Sequence, residues 1–233
     1  MKTKPNYFAI AIFYVIAITL RYLTNKTDLL DVVPNAFLKA ILTGIGPTVG
    51  AIVAFAIFKI KPALSLKGNY RKLLVPFLLF WIFPIVLIPT VEYLSKGTIS
   101  FAAVTAILVY GLLEEIGWRG FLQHELRALP RLANMLIVAV LWFVWHLNFE
   151  LTASNVVFFG VLVLGTWGIS KVAATTHSLL AVSAFHSLNN FFHELDATKT
   201  AILVTLLAVW IGSLVIRKKL FARHIQPETG QIV

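Results

Sequence analysis

Apolar residues along this chain gather into long runs broken by short polar stretches, each run near the ~20 residues that a helix needs to cross a bilayer. The first covers Tyr7 to Leu23 and the second about Ala36 to Ile60. A third covers about Leu73 to Leu94, and a fourth enters near Ile99. Four more follow at about Leu132 to Phe149, Val156 to Val172, Ser178 to Phe192 and Thr200 to Ile216. This periodicity predicts an all-α, polytopic transmembrane helical bundle of about eight spans. No repeat or low-complexity tract divides it, so residues 1–233 are read as a single integral membrane domain. Gly44, Gly46, Pro47 and Gly50 predict a kink or a close helix contact in the second run. Pro76, Pro84 and Pro89 predict kinks in the third. No small-x-small cleavage site follows Leu20-Arg21-Tyr22-Leu23, so the first run is expected to stay as an uncleaved span.

Composition sharpens the class. The chain is 59% hydrophobic and only 13% charged, with a mean hydropathy of +0.86, too apolar for a soluble domain of this length. Its net charge of +10 invites a nucleic-acid reading, but the basic residues sit between apolar runs and do not form one patch. The expected partner is the lipid bilayer and not nucleic acid. With both termini cytoplasmic, fourteen Lys and Arg residues fall inside, among them Lys2, Lys59, Lys61, Lys67, Arg71, Lys72, Arg127, Arg131, Lys171 and Arg223. Five fall outside: Arg21, Lys26, Lys39, Lys96 and Lys199. That asymmetry follows the positive-inside rule. The absence of cysteine excludes disulfides, thiol catalysis and cysteine-ligated metal.

Gly111-Leu-Leu-Glu-Glu-Ile-Gly-Trp-Arg-Gly120 interrupts the fourth run with Glu114, Glu115 and Arg119. A charge at the bilayer centre costs about 2.5–3.5 kcal/mol on insertion scales, so such residues are paired or functional. Glu115 and Arg119 are four apart and predict a structural pair on one helix face. Glu114 points about 100° away, which leaves it uncommitted and suited to general-base work. Two later runs supply companions. His146 follows Trp142 by one turn, and His186 and Asn190, four apart, present an imidazole and a carboxamide on one face as oxyanion donors. For Glu114 and His146 to lie at similar depth, the fourth helix has to continue through about Arg127. His193 and Glu194 read as interfacial; His124, His177 and His224 read as solvated.

Glu114-Glu-x-x-x-Arg119, Trp142-x-x-x-His146 and His186-x-x-x-Asn190 resemble the three motifs of the CPBP family of CAAX prenyl endopeptidases and bacteriocin-processing or immunity membrane proteins, also called Abi. The resemblance covers about residues 99–192. The second motif usually begins with Phe, and Trp142 is expected to take over its packing role. The resemblance implies an intramembrane endopeptidase in which Glu114 and His146 activate a water, His186 and Asn190 stabilise the oxyanion, and Glu115 and Arg119 hold the site together. The implied partner is a peptide or protein substrate at the membrane, in a multi-pass protein of the bacterial cell membrane. No cofactor is favoured, although Glu114, His146 and His186 form a set able to bind Zn2+. They lie on separate helices and lack the local His-Glu-x-x-His pattern of zincins. The alternative function is a non-proteolytic immunity or scaffold protein.

Overall fold

The computed structural model describes residues 4–192 and 195–223, with side chains described through Lys219 in the last helix. Lys2, His193, Glu194 and His224, and the side chain of Arg223, lie outside them. Nine helices carry the described chain: α1 (Tyr7–Asn25), α2 (Ala36–Thr43), α3 (Gly46–Phe58), α4 (Leu74–Lys96), α5 (Phe101–Ala128), α6 (Arg131–Trp145), α7 (Ala153–Thr176), α8 (Leu179–Phe191) and α9 (Ala197–Arg223). Among the described residues there is no β-strand, only an isolated bridge between Ser65 and Ser178. The helices through Phe191 form one compact unit, and the chain from Phe192 onward a second. In the second unit α9 extends beyond the predicted run at both ends.

The all-helical polytopic character is as expected, but the count of about eight spans is not reached. Among the described residues five helices are long and apolar enough to cross a membrane, namely α1, α4, α5, α7 and α9, and a sixth span arises if α2 and α3 count as one. That pair bends by 50°, at the Gly-Ile-Gly-Pro stretch where a kink was expected. Helix α6 has 15 residues and α8 has 13. At 1.5 Å per residue, α8 extends only about 20 Å, short of a ~30 Å hydrocarbon core. The fifth run ends early because Leu147 adopts a left-handed backbone (φ 56°) directly after His146, which stops the helix before Asn148.

Prolines shape α4 without breaking it. Pro84 has no N–H to donate to the carbonyl of Phe80, and its ring crowds that carbonyl. The π-helical turn at Leu78–Ile82 just before it absorbs the mismatch, and the helix continues past Pro89. Helix α5 is likewise continuous from Phe101 to Ala128, so the requirement that it run through Arg127 is met. It too contains a π turn, Trp118–Leu122, which holds Arg119.

Within the first unit α5 is central: α2, α3 and α8 all pack on it, and α1 packs on α3. The contact between α1 and α3 needs Gly50, where an added Cβ would lie 2.5 Å from the Phe13 carbonyl oxygen. The loop after α3 is strapped across the junction of α7 and α8. Ser65 N–H donates to His177 O (3.2 Å), Leu179 N–H to Ser65 O (2.9 Å) and Asn69 N–H to Thr176 O (2.7 Å). His177 is exposed, ends α7 in a left-handed conformation and contacts Asn69 through Nδ1 (3.1 Å). His124, by contrast, is half-buried near the end of α5 and not fully solvated.

Candidate active site

Glu114 and Glu115 occupy the last turns of α5 before its π turn, and both are completely enclosed by protein. Enclosure in an apolar bundle is costly for a carboxylate unless donors surround it. The structure supplies them. Glu115 Oε1 accepts from Arg119 Nη1 at 2.6 Å and from His186 Nδ1 at 2.6 Å. The expected Glu115–Arg119 pair is therefore present, with both side chains buried. Arg119 also reaches α7, where Nη2 donates to Thr166 Oγ1 at 3.4 Å, and its guanidinium lies 4.6 Å above the Trp142 ring.

Glu114 is not uncommitted. Its Oε2 accepts from the indole N–H of Trp142 at 2.7 Å and from that of Trp118 at 3.1 Å. Trp118 follows Glu114 by four residues, a spacing that places the two on one helix face. Trp142 does pack, with its ring 4.9 Å from that of His186, yet its N–H gives it a second role that a phenylalanine could not fill. Reading Trp142 as a packing residue missed its donor.

His186 reaches this cluster because α8 comes very close to α5. A Cβ at Gly111 would lie 2.6 Å from Ser187 Oγ and 3.1 Å from the Ser183 carbonyl oxygen, so only glycine leaves room. A carboxylate oxygen accepts, so His186 Nδ1 carries the proton it shares with Glu115. Its Nε2 then faces Glu114 Oε2 across 3.9 Å. Asn190 stands one turn further along α8 with its side chain exposed, outside the buried cluster.

His146 caps the C-terminal end of α6. Its Nδ1 lies 2.8 Å from the Trp142 carbonyl oxygen, which can only accept, so the neutral ring keeps its lone pair on Nε2. The ring is wedged edge-on against Trp145 (5.2 Å) and Phe158 (4.8 Å). The connection to α7 is clasped by reciprocal amide hydrogen bonds between Asn148 and the buried Asn155, at 2.9 and 3.1 Å. Trp142 stands between His146 and Glu114: its ring lies 6.2 Å from the imidazole and its N–H donates to the Glu114 carboxylate.

Arg21, counted among the Lys and Arg residues expected outside, also has partners on other helices. Its guanidinium lies 4.3 Å above the Trp145 ring, and Nη1 donates to the Thr43 carbonyl at 3.1 Å. Only three-dimensional packing reveals this, since α1 shares no motif with the other site helices. Among the described residues no three His, Cys, Asp or Glu side chains are grouped so that they could hold a metal ion.

The arrangement is therefore two buried carboxylates, one braced by arginine and one held by indoles, with two imidazoles that offer their Nε2 atoms. The family model of type II CAAX prenyl endopeptidase Rce1-like proteins matches residues 74–192, half of the chain, and so includes Glu114, Glu115, Arg119, His146, His186 and Asn190. No curated protein matches the chain. With that match, the chain belongs to the Rce1-like type II CAAX prenyl endopeptidases of the CPBP family.

Proposed function

We propose that this protein is an intramembrane endopeptidase that cleaves a membrane-proximal peptide or protein with a water activated by Glu114 and His146. The observation that carries the reading is the juxtaposition of Glu114 Oε2 and His186 Nε2, 3.9 Å apart in a buried cluster. Glu114 takes one proton from the water, and the Nε2 lone pair of His146 accepts a hydrogen bond from the other. The hydroxide adds to the scissile carbonyl carbon, and its oxygen becomes the oxyanion. His186, carrying a second proton on Nε2, and Asn190 on the same face of α8 stabilise that charge. Glu114 returns its proton to the nitrogen as the C–N bond breaks, leaving an acid and an amine. Glu115 and Arg119 keep His186 in register. In this reading both termini face the cytoplasm of a bacterial cell, as the distribution of Lys and Arg supports.

The decisive comparison is between membrane peptidomes of cells that carry the native protein and cells that carry Glu114→Ala at equal abundance. At least one membrane peptide is expected to accumulate uncut with the variant. Identical peptidomes, together with a cellular phenotype that survives substitution of Glu114, His146 and His186, would establish an immunity or scaffold role instead.

The proposed chemistry runs through side chains. Dialysis of the purified protein against a strong chelator is therefore expected to leave cleavage within about twofold of its starting rate, where loss of a catalytic zinc would remove nearly all of it. Inactivation by chelator that Zn2+ reverses would replace this mechanism with a metal-dependent one.

A further inference from the structure

Between α3 and α4 the chain carries Lys59, Lys61, Lys67, Arg71 and Lys72, and no acidic residue stands anywhere between Asp31 and Glu92. We propose that this loop, docked on the end of α7, is a binding surface for the headgroups of anionic phospholipids.

The loop is a fixed platform and not a loose tether. Besides its backbone bonds to Thr176, His177 and Leu179, it accepts from Ser178 Oγ at the Leu66 carbonyl (2.8 Å), and its Gly68 N–H donates to Ser65 Oγ (3.0 Å). Gly68 is left-handed (φ 62°), and a Cβ there would collide with the Thr176 carbonyl oxygen, so the loop backbone rests directly on the end of α7. Ala63 N–H donates to Gly120 O at 3.4 Å, which ties the same loop to α5.

Charge is concentrated on this platform and left uncompensated. All five basic side chains are exposed, as is Lys171 near the end of α7. Among the described residues none of the six takes part in an ion pair. The helices beneath bring no counter-charge either, because no acidic residue occurs between Glu150 and Glu194. Glu125, at the end of α5, is buried and faces Arg127 at 3.5 Å.

Apolar side chains among the cations identify the partner. Leu66, Leu73 and Leu74 are 48, 47 and 63% exposed. Trp167, one turn before Lys171, is exposed as well, and the lysine ammonium lies 5.9 Å from its ring centre. Tryptophan and lysine together are typical of headgroup depth. A phospholipid presents its phosphate beside its acyl chains and so matches cations set beside leucines, whereas a soluble anion leaves the leucines unused. The positive-inside rule asks only that basic residues stay on one side, and a flexible loop would satisfy it. Holding them on a fixed backbone adds a site. Each basic residue close to an anionic membrane surface corresponds to about a fivefold gain in affinity, so three cations around one headgroup correspond to about 100-fold.

The test is titration of the purified full-length protein, in a nonionic detergent, with phosphatidylglycerol and with phosphatidylcholine of the same acyl chains, bound lipid being counted by native mass spectrometry. The native protein is expected to prefer phosphatidylglycerol by about 100-fold or more. Lys67→Gln/Arg71→Gln/Lys72→Gln is expected to weaken phosphatidylglycerol binding by about 100-fold and to leave phosphatidylcholine binding unchanged. Its three side chains are exposed, so the fold is retained, which far-ultraviolet circular dichroism verifies. Lys26→Gln/Lys39→Gln/Lys96→Gln removes the same net charge elsewhere and is expected to stay within about threefold of the native affinity. Equal affinity of the native protein for the two lipids overturns the proposal, and so does native affinity in the loop variant. An equal loss in both variants overturns it too, because net charge would then be the cause. Displacement of phosphatidylglycerol by equimolar inorganic phosphate also overturns it, since the anion alone would then suffice.

Discussion

Arg119→Met is expected to destabilise the folded bundle by about 3–5 kcal/mol, the cost of leaving a buried charge without its partner. The side chains of Arg119 and Glu115 are wholly enclosed, and Glu115 Oε1 is shared between Arg119 and His186 at 2.6 Å each. Removing the guanidinium leaves Glu115 with the imidazole as its one remaining donor among the described residues. Its Oε2 has no hydrogen-bond partner. Surface ion pairs are worth a fraction of this because water screens them, but water does not reach this pair. The second variant decides the cause. Glu115→Gln together with Arg119→Met removes both charges and is expected to recover most of the lost stability, since a buried pair replaced by neutral groups is often near neutral. Denaturant unfolding of the purified protein in one detergent reads both. A single variant as stable as the native protein, or a double variant no better than the single, would show that the pair is not the brace described here.

Much of this brace was legible in the linear sequence, and the reason is local. Glu115 and Arg119 lie on one helix four residues apart, and helical periodicity alone brings them together. The same holds for the kink at Gly44–Pro47 and for the continuation of α5 to Arg127, which follows from the need to match depths. What escaped depends on contacts between distant segments. Trp142 read as a packing residue, and Trp118 drew no role at all, because hydropathy counts their rings and ignores their N–H groups. Arg21 was counted only as an outside charge, and nothing within α1 reveals that Tyr110 and Trp145 lie beside it. The lengths of two predicted runs differ for a related reason: a run of apolar residues does not show where backbone geometry ends a helix. Leu147 stops α6 with a left-handed conformation, and α8, buried along much of its length, satisfies its apolar face against protein. Thr152 shows the opposite error. It caps α7 by accepting from Asn155 N–H, so the helix begins before the apolar run does.

Glu114→Gln is expected to lower kcat by about 1,000-fold, within the 10²–10⁴ range that a positioned general base contributes. Glutamine keeps the volume of the side chain, and its carbonyl oxygen can still accept from the indoles of Trp142 and Trp118, so the fold should remain intact. What it loses is the ability to take a proton from water. Trp142→Phe separates holding the base from being the base. The ring contacts with Arg119 and His186 persist, the 2.7 Å hydrogen bond to Glu114 disappears, and the motif takes the Phe more usual in the family. The resemblance implied that ring packing was the purpose of this position, which predicts no effect. The geometry predicts about a 10–100-fold loss in kcat, because a donor to a charged acceptor is removed from a buried site. Steady-state kinetics on the two variants, with tryptophan fluorescence to verify folding, distinguishes the cases. Native kcat in Trp142→Phe would make that indole N–H incidental, and native kcat in Glu114→Gln would remove Glu114 from the chemistry altogether.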